Sequence, residues 1–304
     1  MQRVVSLIAS STEIICALGF EDHLVGRSHE CDFPASVAHL PVCTEPKFNP
    51  IGTSYEIDQR VKAILHEALS VYRVHADTLR QLEPDLIVTQ SQCDVCAVSL
   101  RDVEEALADF LDARPRIVSL EPNGLADVWV SIAQVAEALG APELGSELVE
   151  RLQRRIEAVA DATRELAHTP TVACIEWIDP LMACGNWVPE LVEMAGGENR
   201  FGEAGKHSPW MTWEELVEDD PEVIVVMPCG YDIAKTRQEM PALTRKPEWP
   251  SLKAVQGERA YLLEGSQFFN RPGPRLVESV EILAEVLHPG VFQYGHEGAG
   301  WERL

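Results

Sequence analysis

Short apolar runs alternate with segments of helical periodicity along the first 120 residues. Residues 4–8 are apolar apart from Ser6 and predict a buried strand. Polar residues 10–13 then give a capping signal, and the apolar face behind them predicts a helix that ends at Gly19. Strands without polar alternation are typical of a parallel sheet covered on both faces. The same pattern predicts strands over 24–26, 86–89 and 116–120 and helices over 76–82 and 99–111.

The pattern changes after Pro122, where two helical segments follow one another over 125–139 and 143–167. Residues 147–166 contain strong helix formers and neither Gly nor Pro. A helix of about 22 residues spans roughly 33 Å, which suits a strut between two lobes. The strand–helix alternation then returns, with strands predicted over 171–176, 223–227 and 259–263 and helices over 188–195, 213–218 and 275–287.

These elements predict an α/β protein of two Rossmann-like lobes, joined by one long rigid helix, with a ligand cleft between the lobes. The predicted N-terminal lobe is 1–124, the helical connection 125–168, the C-terminal lobe 169–292 and a loose tail 293–304. We interpret residues 51–75 as an insertion within the N-terminal lobe. In open parallel sheets ligands bind beyond the carboxyl ends of the strands. The candidate loops are therefore 28–32, 90–96, 176–179, 229–232 and 266–271.

Composition and charge narrow the function classes. The 304 residues are 46% hydrophobic and carry a formal net charge of −24, which argues against a nucleic-acid partner. No apolar run reaches the roughly 18 residues of a membrane-spanning helix. The N-terminal apolar stretch is short and leads directly into Ser10, so the sequence as it stands predicts a cytoplasmic protein. Removal of a signal peptide would make it periplasmic or extracellular.

Several short motifs together resemble one family. They are RVVSL at 3–7, STE at 11–13, LEPDLI at 82–87, AGGEN at 195–199, WEEL at 213–216, DPEVI at 220–224 and FFNRPGPR at 268–275. In combination they resemble the helical-backbone (class III) substrate-binding proteins of ABC importers, and the cobalamin-binding branch is the most similar. The resemblance covers residues 3–288 and implies a non-enzymatic protein that clasps cobalamin or a related corrinoid between its lobes.

The resemblance also implies an ABC permease as partner, which members of the family contact through a surface glutamate on each lobe. This chain has Asn270 near the second of those positions and no clear counterpart among residues 99–102. Coupling to a permease is therefore less well supported by the sequence than ligand binding is.

The candidate loops hold side chains that suit a planar macrocycle, because aromatic rings offer broad apolar faces and amides pair with a polar periphery. For Trp177 and Phe268, ligand contact and core packing are equally favoured; for Trp187, Trp210 and Tyr231, core packing is slightly favoured. His29 is either an axial base for cobalt or a partner of loop backbone. The predicted ligand-binding residues are His29, Glu30, Gln90, Gln92, Cys93, Glu176, Trp177, Trp187, Tyr231, Phe268, Phe269 and Asn270.

Two cysteine motifs leave a different class of function open. His29 and Cys31 form an H-x-C, and Cys93 and Cys96 form a C-x-x-C. Together they are a candidate zinc site or, for the cysteine pair, a redox site. The alternative function is thus a cytoplasmic thiol or metal-binding protein, or an enzyme, that reuses the fold. A further alternative is a siderophore or haem binder. The sequence contains no G-x-S-x-G, H-E-x-x-H or P-loop motif that would indicate catalysis.

Overall fold

The computed structural model describes residues 1–66, 70–91, 100–107 and 115–304. The chain divides into two compact units. The N-terminal unit comprises residues 1–52, 56–122 and 126–150, and the C-terminal unit comprises residues 53–55, 123–125 and 151–304. None of the helices in these described ranges is long and apolar enough to span a membrane.

A parallel sheet forms the centre of the N-terminal unit. Within the described residues its strand order is β2–β1–β5–β6, and all neighbouring strands run parallel. A separate antiparallel pair, β3 with β4, lies in the same unit. The strands are β1 (Val4–Ser6), β2 (Leu24–Arg27), β3 (Thr44–Pro46), β4 (Tyr72–Val74), β5 (Leu86–Gln90) and β6 (Arg116–Leu120).

Apolar strand residues make the core of this unit. Val5, Leu7 and Ile87 are fully buried and pack with Leu79 and Val103 from two of the helices. The predicted parallel sheet is therefore confirmed. The segment 51–75, interpreted as an insertion, supplies helix α2 and strand β4. The helices up to the connection are α1 (Ala9–Ala17), α2 (Ser54–His66), α3 (Ala76–Leu82), α4 (Leu100–Leu107) and α5 (Leu125–Ala138).

Helix α1 begins earlier than the sequence predicts, so the predicted cap over residues 10–13 is wrong. The helix starts at Ala9, and no side chain caps it. Ser11 and Thr12 lie inside the helix and form a buried hydroxyl network with Ser6, at 2.6 Å and 2.7 Å between oxygens. Cys31 also belongs to this network, because Thr12 Oγ1 donates to its Sγ at 3.0 Å. These polar residues thus satisfy one another in the core and do not mark the helix end.

One long helix connects the two units, as predicted. Helix α6 (Pro142–Arg164) has 23 residues, which corresponds to roughly 34 Å. Its residues up to Glu150 belong to the N-terminal unit, and those from Arg151 onward belong to the C-terminal unit. The buried residues recur every three or four positions and form one stripe, because this spacing matches the helical period. They include Leu148, Leu152, Ile156, Val159 and Thr163.

The C-terminal unit is built around a second, mixed sheet. Within the described residues its order is β12–β11–β10–β7–β8, with β9 beside β7. Strands β7, β10 and β11 run parallel, and the flanking β12 and β8 run antiparallel to their neighbours. The strands are β7 (Thr171–Trp177), β8 (Met182–Ala183), β9 (Glu198–Asn199), β10 (Val223–Val226), β11 (Ala260–Leu263) and β12 (Trp301–Arg303).

Helices cover both faces of this sheet. The last helix is the most enclosed: every residue from Val280 to Leu287 is buried. An apolar cluster from β7, β10 and β11 packs with Leu216, Leu243 and Trp249. The helices are α7 (Val188–Met194), α8 (Trp213–Asp219), α9 (Ile233–Glu239), α10 (Pro241–Thr244), α11 (Lys253–Gln256) and α12 (Leu276–Leu287).

The C-terminal segment 293–304 is ordered into the sheet, and the prediction of a loose tail is wrong. Its last residues form β12, which pairs with β11. The Glu285 carboxylate on α12 accepts hydrogen bonds from the backbone N–H groups of Gly295 and His296 and from Trp301 Nε1, at 2.7 to 3.3 Å. A buried carboxylate needs such donors, so it fixes the segment in place.

A second contact of this segment depends on pH. His296 Nε2 lies 2.9 Å from Glu281 Oε2, and this hydrogen bond raises the pKa of His296. Burial opposes the charge on Glu281, but hydrogen bonds from His296 and Arg155 outweigh it and lower the pKa of Glu281. Glu278 and Glu285 also face His296 and favour its charged form. The pair therefore stabilises the fold above the ordinary pKa of Glu and below the raised pKa of His296.

We expect His296→Gln to lower the free energy of unfolding by about 1 kcal/mol within that pH window. The difference from the wild type should shrink as the pH rises through the raised pKa of His296, because the imidazole then loses its charge. Urea unfolding at a series of pH values measures it. His39→Gln, an exposed histidine of the N-terminal unit, is the control. A difference that stays constant across neutral and alkaline pH would contradict the interpretation.

Candidate functional site

Two aromatic rings meet where neighbouring strands of the C-terminal unit end. Trp177 is the last residue of β7, and Tyr231 lies in the loop after β10. Their ring centroids are 5.3 Å apart and the ring planes are inclined by 51°. Strands β7 and β10 are parallel neighbours, so their carboxyl ends lie at the same edge of the sheet. The topology thus brings together two of the predicted ligand-binding residues.

Both rings carry a polar atom that is buried and has no hydrogen-bond partner among the described residues. These atoms are Trp177 Nε1 and the Tyr231 hydroxyl. A buried polar group without a partner costs about 1 to 3 kcal/mol, so an unpaired donor at a strand end is a candidate for ligand contact. Burial, with a smaller contribution from Glu239, raises the pKa of Tyr231. The phenol is therefore neutral and available as a hydrogen-bond donor at physiological pH.

The adjacent residues Phe268 and Phe269 have different environments. They lie in a single π-helical turn, Gly265–Phe269, that follows β11. Phe269 is fully buried, and its carbonyl accepts a hydrogen bond from Nε1 of the buried Trp187 at 2.8 Å. Phe268 is half-buried and faces His296 and the guanidinium of Arg275, at 6.3 Å and 5.3 Å. Phe269 and Trp187 thus pack in the core of the unit, whereas Phe268 retains exposed surface.

Glycine is required at the start of this turn. A Cβ on Gly265 would lie 2.5 Å from the Pro228 carbonyl oxygen and 2.7 Å from that of Met227. Those are backbone atoms, which cannot move aside as a flexible side chain can. The close approach brings the loop after β11 against the loop after β10, and it is maintained by the Asn270 amide, which donates to the carbonyls of Met227 and Gly265 at 3.2 Å and 2.8 Å. Asn270 therefore has a structural role in this loop.

In the N-terminal unit, His29 and Glu30 follow β2, and Gln90 ends β5. His29 Nδ1 lies 2.8 Å from Thr44 Oγ1, and Nε2 lies 3.9 Å from the Glu30 carboxylate. Burial, followed by the charges of His75 and Arg27, lowers the pKa of His29, so the imidazole is neutral at physiological pH. Gln90 is buried, and its Nε2 has no hydrogen-bond partner within the described residues.

Only two residues of the predicted four-residue zinc site, His29 and Cys31, are among the described residues. Cys31 is fully buried and interacts with Thr12, while Gln92, Cys93 and Cys96 lie outside the described residues. The described residues contain no group of three or more His, Cys, Asp or Glu side chains arranged to hold a metal ion. The four-residue zinc site, the redox pair and the role of Gln92 therefore stay predictions.

Comparison with known proteins identifies the family. A family model of periplasmic binding proteins matches residues 4–266. The chain belongs to the periplasmic binding protein family. It is 23% identical over 300 residues to the uncharacterized ABC transporter substrate-binding lipoprotein YvrC of Bacillus subtilis, with 96% of this chain and 82% of the relative covered. It is also 23% identical over 291 residues to the vitamin B12-binding protein of Vibrio vulnificus, with 94% and 89% covered.

Solved structures of other periplasmic binding proteins have the same fold as this chain. The periplasmic vitamin B12 binding protein BtuF of Vibrio cholerae has a TM-score of 0.66 at 20% identity, covering 94% of this chain and 96% of that one. The apo periplasmic heme-binding protein RhuT of Roseiflexus sp. RS-1 has a TM-score of 0.68 at 22% identity, covering 94% and 97%. The resemblance drawn from the sequence motifs is confirmed, and the relatives are named for binding and not for catalysis.

One residue that sequence reasoning missed positions a predicted site residue of this periplasmic binding protein. Ser208 is buried and donates to Glu176 Oε2 at 2.7 Å, while its Oγ accepts from the N–H of Gly185 at 3.0 Å. Ser208 holds the Glu176 carboxylate beside the end of β7. It lies between β9 and α8, outside the five candidate loops, because the sequence pattern did not predict the two-residue strand β9. Nearby Trp210 is 56% exposed, so the core packing that the sequence slightly favoured for this residue is wrong.

Proposed function

We propose that this periplasmic binding protein captures cobalamin or a related corrinoid at the loops that follow β7, β10 and β11, outside the cytoplasm, and delivers it to an ABC permease. Two kinds of observation support the proposal. Relatives along almost the whole chain are named vitamin B12-binding proteins or ABC transporter substrate-binding lipoproteins. The strand-end loops of the C-terminal unit also present aromatic surface with unpaired donors.

The contact between Trp177 and Tyr231 is the structural observation on which the proposal mainly depends. A corrin ring is flat and apolar on its faces, and its edge bears carboxamide side chains whose oxygens accept hydrogen bonds. Indole and phenol rings cover such faces at low entropic cost. The indole N–H and the phenol O–H, which lack partners among the described residues, are suited to the amide oxygens of the edge.

The role of His29 is a separate part of the proposal. A neutral imidazole is a good ligand for cobalt, and burial keeps His29 neutral. Nε2 is the nitrogen that would bind, because Nδ1 already contacts Thr44. Replacement of an upper cobalt ligand by an imidazole changes the visible spectrum of the corrinoid, so His29→Ala and wild type can be compared by absorbance alone.

Calorimetric titration with cyanocobalamin tests the proposal directly. We expect Trp177→Ala to weaken binding about tenfold or more, because it removes both ring area and a donor worth about 1 to 3 kcal/mol. Trp177→Phe retains most of the ring and should show only the loss of the donor. Trp213→Phe is the matched control, because the Trp213 indole already donates to Glu248 and its ring stacks on Trp249, so it belongs to none of the candidate loops. No binding by the wild-type protein would contradict the proposal.

Haem is the second candidate ligand, favoured by one feature. Tyr231 offers a buried phenol oxygen without a partner in the described residues, and phenol oxygen is a known axial ligand of haem iron. The raised pKa of Tyr231 opposes the phenolate form that iron prefers, so we rank haem second. Titration with hemin distinguishes the two: haem binding predicts a shifted Soret band that Tyr231→Phe abolishes, whereas corrinoid binding predicts no saturable change.

A further inference from the structure

A cavity of about 570 Å³ lies in the C-terminal unit beyond the carboxyl ends of β10 and β11. It opens between α9, the end of β11 and the segment that leads into β12, and one of its lining residues, Asp232, directly follows Tyr231 of the candidate site. The volume falls in the range of small-molecule sites. Its lining residues are Asp232, Ile233, Ala234, Arg237, Gln238, Glu264, Gly298, Ala299 and Glu302.

The most buried polar side chain in the lining of this cavity is Glu264. The residue is only 5% exposed. Its Oε2 accepts a hydrogen bond from the Ile233 N–H at 3.2 Å, but Oε1 is buried without a hydrogen-bond partner among the described residues. Burying a carboxyl oxygen without a donor is costly, so the arrangement favours an occupant that brings N–H groups. Burial raises the pKa of Glu264, and a cationic occupant would offset that cost by stabilising the charged form.

Carboxylates outnumber basic side chains in the lining of the cavity, although Arg271, outside the lining, also favours the charged form of Glu264. Asp232 and Glu302 add two more carboxylates to the lining. The one basic residue of the lining, Arg237, donates through Nη2 to Glu302 and to the Arg303 carbonyl, so its charge is already balanced by Glu302. Asp232 caps α9 through Oδ1. Ile233, Ala234 and Ala299 form an apolar part of the lining that suits a short alkyl chain, and Gln238 is the one uncharged polar side chain among the described residues of the lining.

We propose that this cavity binds a small organic cation, an alkyl ammonium or guanidinium compound, whose N–H groups donate to Glu264 Oε1 while its alkyl part contacts Ile233, Ala234 and Ala299. A divalent metal ion does not fit, because the described residues hold no three carboxylates arranged to coordinate one. The cavity adjoins the proposed corrinoid site, because Asp232 directly follows Tyr231. The two proposals concern different ligands and are tested with different probes and variants, so each can fail without the other.

NMR titration of protein labelled with ¹³C at Ile and Ala methyl groups tests the proposal with n-butylammonium as the probe. We expect saturable shifts of the Ile233, Ala234 and Ala299 methyl signals. The neutral isostere 1-butanol should produce no saturable shift. Glu264→Gln should weaken the binding of n-butylammonium about tenfold or more, because the hydrogen bond between the ammonium and a charged carboxylate is lost.

Two further variants keep the test decisive. Glu218→Gln makes the same change in net charge at an exposed position of α8 and should leave the affinity unchanged. Asp232→Asn lowers the charge of the cavity but preserves the helix cap, because Asn caps as well as Asp; it should weaken binding several-fold even if Glu264→Gln fails to fold. Absence of saturable shifts in the wild type, or equal affinity in wild type and both cavity variants, would overturn the proposal.

Discussion

Replacing Phe269 by Ala is expected to lower the free energy of unfolding by about 3 to 5 kcal/mol, the range for deleting a fully buried aromatic side chain. The ring is completely enclosed in the C-terminal unit. The hydrogen bond from Trp187 goes to the backbone carbonyl of residue 269 and survives the substitution, so the loss reports the ring alone. Urea denaturation followed by tryptophan fluorescence measures the difference.

The neighbouring Phe268→Ala variant is the control for this prediction. Phe268 keeps exposed surface and contacts Arg275 and His296 at the edge of the fold, so its removal should cost about 1 kcal/mol or less. It should instead weaken binding if this ring faces the ligand. Equal destabilisation by the two substitutions would show that both rings are structural and would remove Phe268 from the candidate site.

The contrast between these two residues shows what a sequence pattern can predict. Strand β5 and helix α3 were predictable because a continuous apolar run and an amphipathic stripe record burial directly. The rule that ligands bind at the carboxyl ends of parallel strands correctly placed Trp177 and Tyr231 beside each other. The sequence FF after β11, by contrast, contains no information on which ring points inward, because a π-helical turn has no regular period to read.

Polar residues limited the prediction in a different way. A run such as residues 10–13 has the composition of a helix cap, yet its hydroxyl groups pair with Ser6 and Cys31 in the core. Ser208 reaches Glu176 from a loop far along the chain. Such partners are set by tertiary structure, and hydrogen-bond satisfaction in the core outweighs local propensity.

The C-terminal segment 293–304 is the clearest case in which a distant residue determines local structure. The sequence after residue 292 is rich in Gly and polar residues, which is typical of a loose tail. The residue that orders it, Glu285, lies on the preceding helix among apolar neighbours. Its carboxylate accepts hydrogen bonds from the N–H groups of Tyr294, Gly295 and His296 and from the indole of Trp301. The order of segment 293–304 therefore depends on a residue outside the segment and could not be predicted from its own composition.

We therefore expect Glu285→Ala to lower the free energy of unfolding by about 3 to 5 kcal/mol, because several partly buried donors lose their acceptor at once and each costs about 1 to 3 kcal/mol if water does not replace it. Glu285→Gln keeps one oxygen and should cost less. Urea unfolding gives the energy, and amide hydrogen exchange of β12 shows whether that strand is released.

Glu297→Ala is the matched control for the loss at Glu285, because Glu297 is an exposed carboxylate within the tail itself. It should change the free energy of unfolding by about 0.5 kcal/mol or less. If Glu285→Ala behaves like this control, β12 is held by its pairing with β11 alone and the buried carboxylate is not its anchor. If instead β12 exchanges freely while β10 and β11 stay protected, the carboxylate closes the edge of the sheet, and with it the wall of the cavity that Gly298, Ala299 and Glu302 complete.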